Sequence, residues 1–383
     1  MDAAGMTLRV AFGTSVLAAG LLGDGVDGIG TVTRELLTRL QPRAGLDLRP
    51  FEFAEIESGC IDGSTAVGDY RLQARRALLL GRSFSRLKHM VRNKVDLVHA
   101  TDHQIPRVRG TPLLATLMDA IPLSHPEWVT YRHKRLVNAM WRRSAHWADH
   151  IVTISAFSRD EISRHFRIPE SRISVMPLGV DERWFHSADA GDERQVRLQL
   201  ELPERFFLFV GTIQPRKNLE MLIQAHAMLP ESVQREVPLL IAGRGGWGCE
   251  ALVTRLRADA IPNVRWLRYV PDQYLPSLFG MATALLFPSL FEGFGLPVLE
   301  GFAAGVPVLA SNRTSIPEVA GEAAELLDPQ SPAAWAGAMQ RLATSPSQQQ
   351  SMREKGLARA REFSWDRAAD RLVDVYQHVT GLA

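Results

Sequence analysis

Twelve short, almost continuously apolar runs punctuate this chain, and longer amphipathic stretches separate many of them. In the first half the runs fall at 8–15, 46–53, 95–101, 113–119, 150–156 and 173–178. In the second half they fall at 206–212, 237–243, 263–270, 282–289, 306–312 and 323–328. Runs that are apolar at successive positions suit parallel strands buried on both faces. Helical patterns lie between them, for example at 32–40, 218–229 and 297–304. Strand–helix alternation of this kind predicts doubly wound α/β sheets.

The series runs twice, with a polar segment carrying Ala-Gly-Asp-Glu-Arg between the two. The predicted organisation is an N-terminal domain over 1–186, a linker over 187–203, and a C-terminal domain over 204–363. A C-terminal helix over 364–383 is expected to pack back toward the N-terminal domain. Trp365, Ala369, Leu372, Val373 and Tyr376 share one face of it. Two such sheets in tandem are expected to face a cleft at the carboxyl ends of their strands, where loops and helix N-termini converge on a ligand.

Composition narrows the function. With 383 residues, 46% hydrophobic and 22% charged, the chain has apolar material for two cores. Lys and Arg number 44 against 42 Asp and Glu, a net charge of +2. Residues 1–186 carry +5 and the remainder −3. That asymmetry suits an anionic partner of the first half but not a nucleic-acid binder. Two cysteines, Cys60 and Cys249, stand 189 positions apart, so no disulfide scaffold or cysteine zinc site is expected. No apolar run reaches about 18 residues, so no transmembrane helix is expected. Residues 1–5 lack the basic start of a signal peptide. The expected location is cytoplasmic, either soluble or peripheral on the inner face of the membrane.

The densest motif is Phe-Pro-Ser-Leu-Phe-Glu-Gly-Phe-Gly-Leu-Pro-Val-Leu-Glu-Gly-Phe-Ala-Ala-Gly at 287–305. A strand is expected to end at Pro288, and a helix to begin near Pro297, where proline suits the first turn. Gly293 and Gly295 let backbone N–H groups approach a ligand. The helix N-terminus beyond Phe294 and Leu296 offers free donors to a phosphate. Glu292 and Glu300 can accept hydrogen bonds from sugar hydroxyls.

This segment matches the E-x7-E signature of retaining GT-B glycosyltransferases, and the chain resembles glycosyltransferase family 4. Val-Gly-Thr-Ile-Gln-Pro-Arg-Lys-Asn at 210–218 resembles the family's diphosphate loop. Leu-Gly-Val-Asp at 178–181, Thr-Ile-Ser-Ala-Phe-Ser at 153–158 and Ser-Ile-Pro-Glu-Val-Ala-Gly at 315–321 are similar to further family strings. The resemblance implies a GT-B fold of two Rossmann-like domains. The implied activity is retaining transfer of a sugar from a nucleotide-diphosphate donor to a hydroxyl of a glycan or lipid-linked oligosaccharide. Neither a metal nor another cofactor is expected. The loop and signature variants look like enzymes of bacterial surface-polysaccharide assembly, several of them mannosyltransferases, which makes GDP-mannose the first choice of donor. A nucleotide-sugar 2-epimerase of the same fold and a non-catalytic nucleotide-sugar-binding module are the alternatives.

The resemblance assigns Lys217 to the donor diphosphate. Arg216 beside it either replaces the arginine that many members carry at the position of Thr212, or points to solvent. Gly28 and Gly30, within the loop 25–30, resemble the family's glycine loop that approaches the donor phosphates from the other domain. Glu292 is expected to grip the donor sugar and Glu300 the ribose. At 117–122 the family's usual histidine is Met118, so Asp119 is the acidic candidate for the acceptor hydroxyl, or else the cap of the next turn. The catalytic set is therefore Asp119, Glu292 and Lys217. His103, just beyond a strand, is placed on the acceptor side. His99 and His103 lie about 13 Å apart on an extended strand, too far to chelate a metal together. Gly-Arg-Gly-Gly-Trp-Gly at 243–248 fits a dinucleotide fingerprint, but the strand at 263–270 lacks the acid such a site needs.

Residues 71–94 carry eight cations and no acid: Arg71, Arg75, Arg76, Arg82, Arg86, Lys88, Arg92 and Lys94. They read as a basic amphipathic helix or helix pair able to lie on an anionic membrane surface, or as a solvated face packed on the first sheet.

Overall fold

The computed structural model describes residues 7–23, 26–54, 61–92, 94–186 and 190–382. Gly25 and Cys60 lie outside them. The chain divides into two compact units, 1–179 with 365–383, and 180–364.

The first unit is built on a parallel sheet of β1 (Leu8–Gly13), β2 (Leu46–Glu52), β3 (Thr65–Ala66), β4 (Leu97–Ala100), β5 (Leu113–Thr116), β6 (His150–Thr153) and β7 (Ile173–Val175). Their order is β3-β2-β1-β4-β5-β6-β7. The second unit holds β8 (Phe207–Val210), β9 (Leu239–Ala242), β10 (Val264–Arg268), β11 (Ala284–Phe287), β12 (Val308–Ser311) and β13 (Glu325–Leu327). Here the order is β10-β9-β8-β11-β12-β13, again all parallel. Each of the twelve apolar runs contains a strand. Thr65–Ala66 escapes the pattern because a two-residue edge strand has no periodicity to show.

In both sheets the strand order reverses beside the first strand, between β1 and β4 and between β8 and β11. Ligands of open α/β sheets bind outside the carboxyl ends of the strands at such a switch point. The central strands are fully buried, as β4, β5, β6, β9, β11 and β12 show. Helices cover both faces, and Trp335 is fully enclosed, with its Nε1 donating to Asp328 O at 3.0 Å.

The helix Trp365–Thr380 belongs to the first unit, with Trp365, Ala369, Leu372 and Tyr376 buried. The Tyr376 hydroxyl meets His99 Nδ1 at 2.8 Å, and His99 Nε2 meets Thr116 Oγ1 at 2.8 Å. Burial drives the His99 pKa down to about 3, so a neutral imidazole ties this helix to β4 and β5. Both ring nitrogens are occupied by hydroxyls, which removes His99 from the metal reading of 99–103.

The boundary differs from the expected one. The change of unit falls at Gly179–Val180, ahead of the segment 187–203. Val180 pairs with Ser364, and Trp184 stacks edge-on against Phe279 with ring centroids 4.9 Å apart, so 180–186 already belong to the second unit. The supposed linker carries the helix Ala190–Gln199, with Val196 buried. Its polar composition reflects one solvated helix face rather than a tether.

Candidate active site

The loop after β8 and the loop after β11 flank the switch point of the second sheet, and this brings together residues 75 positions apart. Lys217 Nζ lies 2.7 Å from Glu292 Oε1, and Arg216 Nη1 lies 2.8 Å from the same oxygen. Local geometry fixes this meeting. Pro215–Lys217 forms a single 3₁₀ turn, and Asn218 ends it at φ 58°, a left-handed conformation that asparagine tolerates. Asn218 Nδ2 then donates to Pro288 O at 3.3 Å and to Pro329 O at 2.7 Å, clamping the loop to the end of β11. Arg216 also donates to Phe291 O at 3.1 Å. Of its two readings, the structure supports the one that brings it into the cluster.

Lys217 and Glu292 are only 7% and 8% exposed. The ammonium stands 4.7 Å above the Phe287 ring. Burial pushes the Lys217 pKa down, against the pull of Glu292. Burial would raise the Glu292 pKa, but Lys217 and Arg216 outweigh it and hold the carboxyl at about 2. At neutral pH Glu292 is therefore a carboxylate, held so by the two basic side chains that meet it.

Gly295, at φ 111°, turns the chain into the helix Leu296–Ala303, with Pro297 in its first turn. Ser315 Oγ bridges Glu292 O at 2.8 Å and Phe294 O at 3.0 Å, and Thr314 Oγ1 accepts from Glu292 N at 3.1 Å. Phe294 is buried, its ring 6.1 Å from that of Phe363. Gly293, Gly295 and Leu296 follow the cluster directly. Glu300 is half-buried one helical turn further on. Burial raises its pKa to about 7, with Arg183 opposing and Asp272 reinforcing the shift.

The glycines of 243–248 have a packing reason. A Cβ on Gly243 would stand 2.1 Å from Gly211 O, and one on Gly246 would stand 2.6 Å from Ile213 O. Glycine lets this loop lie against the diphosphate-type loop, which accounts for the fingerprint-like spacing without a dinucleotide.

In the first unit, Asp27 caps the helix Gly28–Leu40 by accepting from Gly30 N at 2.8 Å. A Cβ on Gly30 would stand 2.7 Å from Val26 Cγ1, whereas Gly28 faces open space. Gly30 is thus packed against its own loop, and Gly28 is exposed. Asp119 accepts from Ile121 N at 2.9 Å, the capping geometry of its alternative reading. His103 packs on Trp141 with ring centroids 4.7 Å apart. Sequence reasoning missed Asp102, which follows β4 at the switch point beside Gly13 and Thr101. It is buried, and Gln104 N donates to its Oδ1 at 2.5 Å. Burial raises its pKa, and His103 opposes the rise. Its place two residues past a central strand was the available signal. Among the described residues no cluster of three metal-ligating side chains occurs.

Solved structures share this architecture. Anabaena Alr3699/HepE in complex with UDP and glucose superposes with a TM-score of 0.74 at 16% identity, covering 97% of this chain and all of that one. WaaG, a glycosyltransferase involved in lipopolysaccharide biosynthesis, superposes at 0.69 with 15% identity, covering 96% and 99%. Two Rossmann-like units of this strand order define the GT-B glycosyltransferase fold. The model of Glycosyltransferase Family 4 matches residues 26–184, and that of Glycosyl transferases group 1 matches residues 192–359. O-antigen chain mannosyltransferase B of Escherichia coli is 30% identical over 366 residues, covering 91% of this chain and 96% of that protein. MMP alpha-(1->4)-mannosyltransferase of Mycolicibacterium hassiacum is 30% identical over 285 residues, covering 73% and 65%. The chain belongs to glycosyltransferase family 4, and it is a glycosyltransferase.

Proposed function

We propose that this enzyme transfers mannose from GDP-mannose, with retention of anomeric configuration, to a hydroxyl of a glycan or lipid-linked oligosaccharide in surface-polysaccharide assembly. The observation that carries the reading is the buried cluster of Lys217, Arg216 and Glu292 at the switch point of the second sheet. The similarity to O-antigen chain mannosyltransferase B supports the choice of sugar.

In this reading the donor diphosphate competes with Glu292 for the two cations. The ammonium, the guanidinium and the first N–H groups of the helix Leu296–Ala303 stabilise the charge that gathers on the leaving diphosphate. Displaced from the cations, Glu292 accepts from hydroxyls of the donor sugar, and Glu300 accepts from the ribose. The resemblance of the loop 25–30 assigns Gly28 and Gly30 to the donor as well. Asp119 and His103 serve the acceptor, and to them we add Asp102. The leaving phosphate oxygen takes the acceptor proton, so no dedicated protein base is required.

A thermal-shift panel tests the donor. GDP and GDP-mannose at about a hundred times their dissociation constants should stabilise the protein by about 2.7 kcal/mol. A larger shift with UDP-sugars would overturn the choice of base. Release of GDP only when an acceptor is added distinguishes transfer from epimerisation, and turnover of either kind excludes a pure binding module.

The basic stretch forms two helices, Tyr70–Leu80 and Ser85–Val91. Its eight cations are all exposed, and none pairs with a carboxylate among the described residues. Leu72, Leu79 and Leu80 are exposed beside them, while Phe84, Leu87 and Val91 are buried. No described helix is long and apolar enough to cross a membrane. We assign this face to an anionic membrane surface. Each cation contributes up to about 1 kcal/mol there, screened beyond about 8 Å at physiological salt. Binding to vesicles containing phosphatidylglycerol should fall steeply with salt. Replacement of Arg75, Arg76, Arg82 and Arg86 by Glu should release the protein while sparing activity on a soluble acceptor. Salt-insensitive binding, or none, would return the stretch to an ordinary solvated face.

A further inference from the structure

A cavity of about 520 Å³ opens in the first unit between the helices Tyr70–Leu80 and Lys134–Ala145. Such a volume is that of a site for part of a small ligand. Leu78, Val137, Met140, Trp141 and Trp147 supply an apolar wall. Arg71, Arg75 and Arg132 stand on the rim, exposed, with no acidic partner among the described residues. His103 and Gln104, which follow the carboxyl end of β4, form another part of the lining. Leu72, Leu79, Leu80 and Leu136 project from the same two helices and are between 51% and 83% exposed.

Three free guanidinium groups around an apolar hollow call for a ligand with an anionic head and a hydrocarbon body. Guanidinium pairs with phosphate oxygens bidentately, and several such contacts suit a multiply charged head. The hydrocarbon gains by leaving water for the leucine, methionine and tryptophan wall. The exposed leucines allow the rest of a longer chain to continue into a bilayer.

We propose that this cavity binds the lipid diphosphate of a lipid-linked acceptor, with the diphosphate on Arg71, Arg75 and Arg132 and the first hydrocarbon units against Met140, Trp141 and Trp147. The inference rests on the glycosyltransferase reading above and adds the acceptor's anchor to it. It places that anchor beside His103, the residue assigned to the acceptor side.

The test measures binding rather than turnover, with the donor site filled by saturating GDP so that a diphosphate cannot report from Lys217. Farnesyl diphosphate, inorganic diphosphate and farnesol are titrated by calorimetry without vesicles. Farnesyl diphosphate should bind, and each of the other two should bind at least about tenfold more weakly. The double variant Arg75→Ala/Arg132→Ala should lose about 100-fold in affinity for farnesyl diphosphate, as expected for two charge-assisted contacts. Met140→Glu should lose comparably, and the surface double variant, which leaves the apolar wall untouched, answers the question if that protein does not fold. Equal binding of farnesyl diphosphate and inorganic diphosphate, or full affinity in the double variant, overturns the proposal. So does binding that appears only when anionic vesicles are added, which would leave Arg71 and Arg75 with the membrane role alone. Transfer to a glycan without lipid tests the underlying reading separately. Wild-type and double-variant protein should perform it equally.

Discussion

Lys217→Ala is expected to weaken donor binding by about 10–150-fold, the loss of a charge-assisted contact worth roughly 1.5–3 kcal/mol. It is also expected to cost stability. Glu292 is 8% exposed and would keep only Arg216 as a cationic partner. An under-paired buried charge is unfavourable, and relief of the Lys217 desolvation offsets part of that, leaving a net loss of about 1–3 kcal/mol. Titration calorimetry with GDP and thermal melting of the ligand-free protein measure the two effects independently. Unchanged affinity for GDP would remove Lys217 from the site. Unchanged melting would show that the pair with Glu292 contributes nothing to the fold.

Glu292→Gln and Glu300→Gln should shift stability in opposite directions at pH 8. Glu292 has its folded pKa lowered from 4.5 to about 2. Its contribution is therefore present above pH 4.5 and is lost as pH falls toward 2. At pH 8 the amide variant forfeits it, roughly 3 kcal/mol, and leaves Lys217 without its counter-charge. Glu300 has its folded pKa raised from 4.5 to about 7. Its carboxylate is a cost that is absent below pH 4.5 and grows as pH rises to 7. At pH 8 the amide variant removes a penalty of roughly 3 kcal/mol, and at pH 4.5 it changes little. Melting curves at the two pH values measure this directly. Destabilisation by both variants at pH 8 would contradict the electrostatics of the site. In turnover, Glu292→Gln should chiefly lower kcat and Glu300→Gln chiefly raise the donor KM, because the ribose is remote from the reacting carbon. A Glu300 that costs stability yet improves donor binding is a stability–activity trade-off confined to one side chain.

The division between the legible and the hidden follows from which interactions are local. Apolar runs report burial on both faces, and each of the twelve holds a strand. The string at 287–305 announced its turn and helix because glycine and proline constrain the backbone wherever they stand. Glu292 and Glu300 were visible through the E-x7-E signature that the string resembles. A lysine at a strand-to-helix turn, by contrast, reads the same whether solvated or buried. Its burial against Phe287 depends on β8 and β11 being neighbours. The ion pair of Arg216 with Glu292 depends on the same adjacency. Asp102 went unnoticed because an acid after a strand has no meaning until the switch point is located.

The sequence by itself determined the α/β class, the two-sheet organisation and the segments from which the second-unit site is built, since period, turn chemistry and local motif all act within a few residues. Only the tertiary structure decided the change of unit at Gly179–Val180 and the pairing of Lys217 with Glu292. It also decided the cavity between helices more than fifty residues apart. Each of these depends on strand order and packing, which join positions remote along the chain through burial and charge, and no local pattern encodes which remote positions will meet.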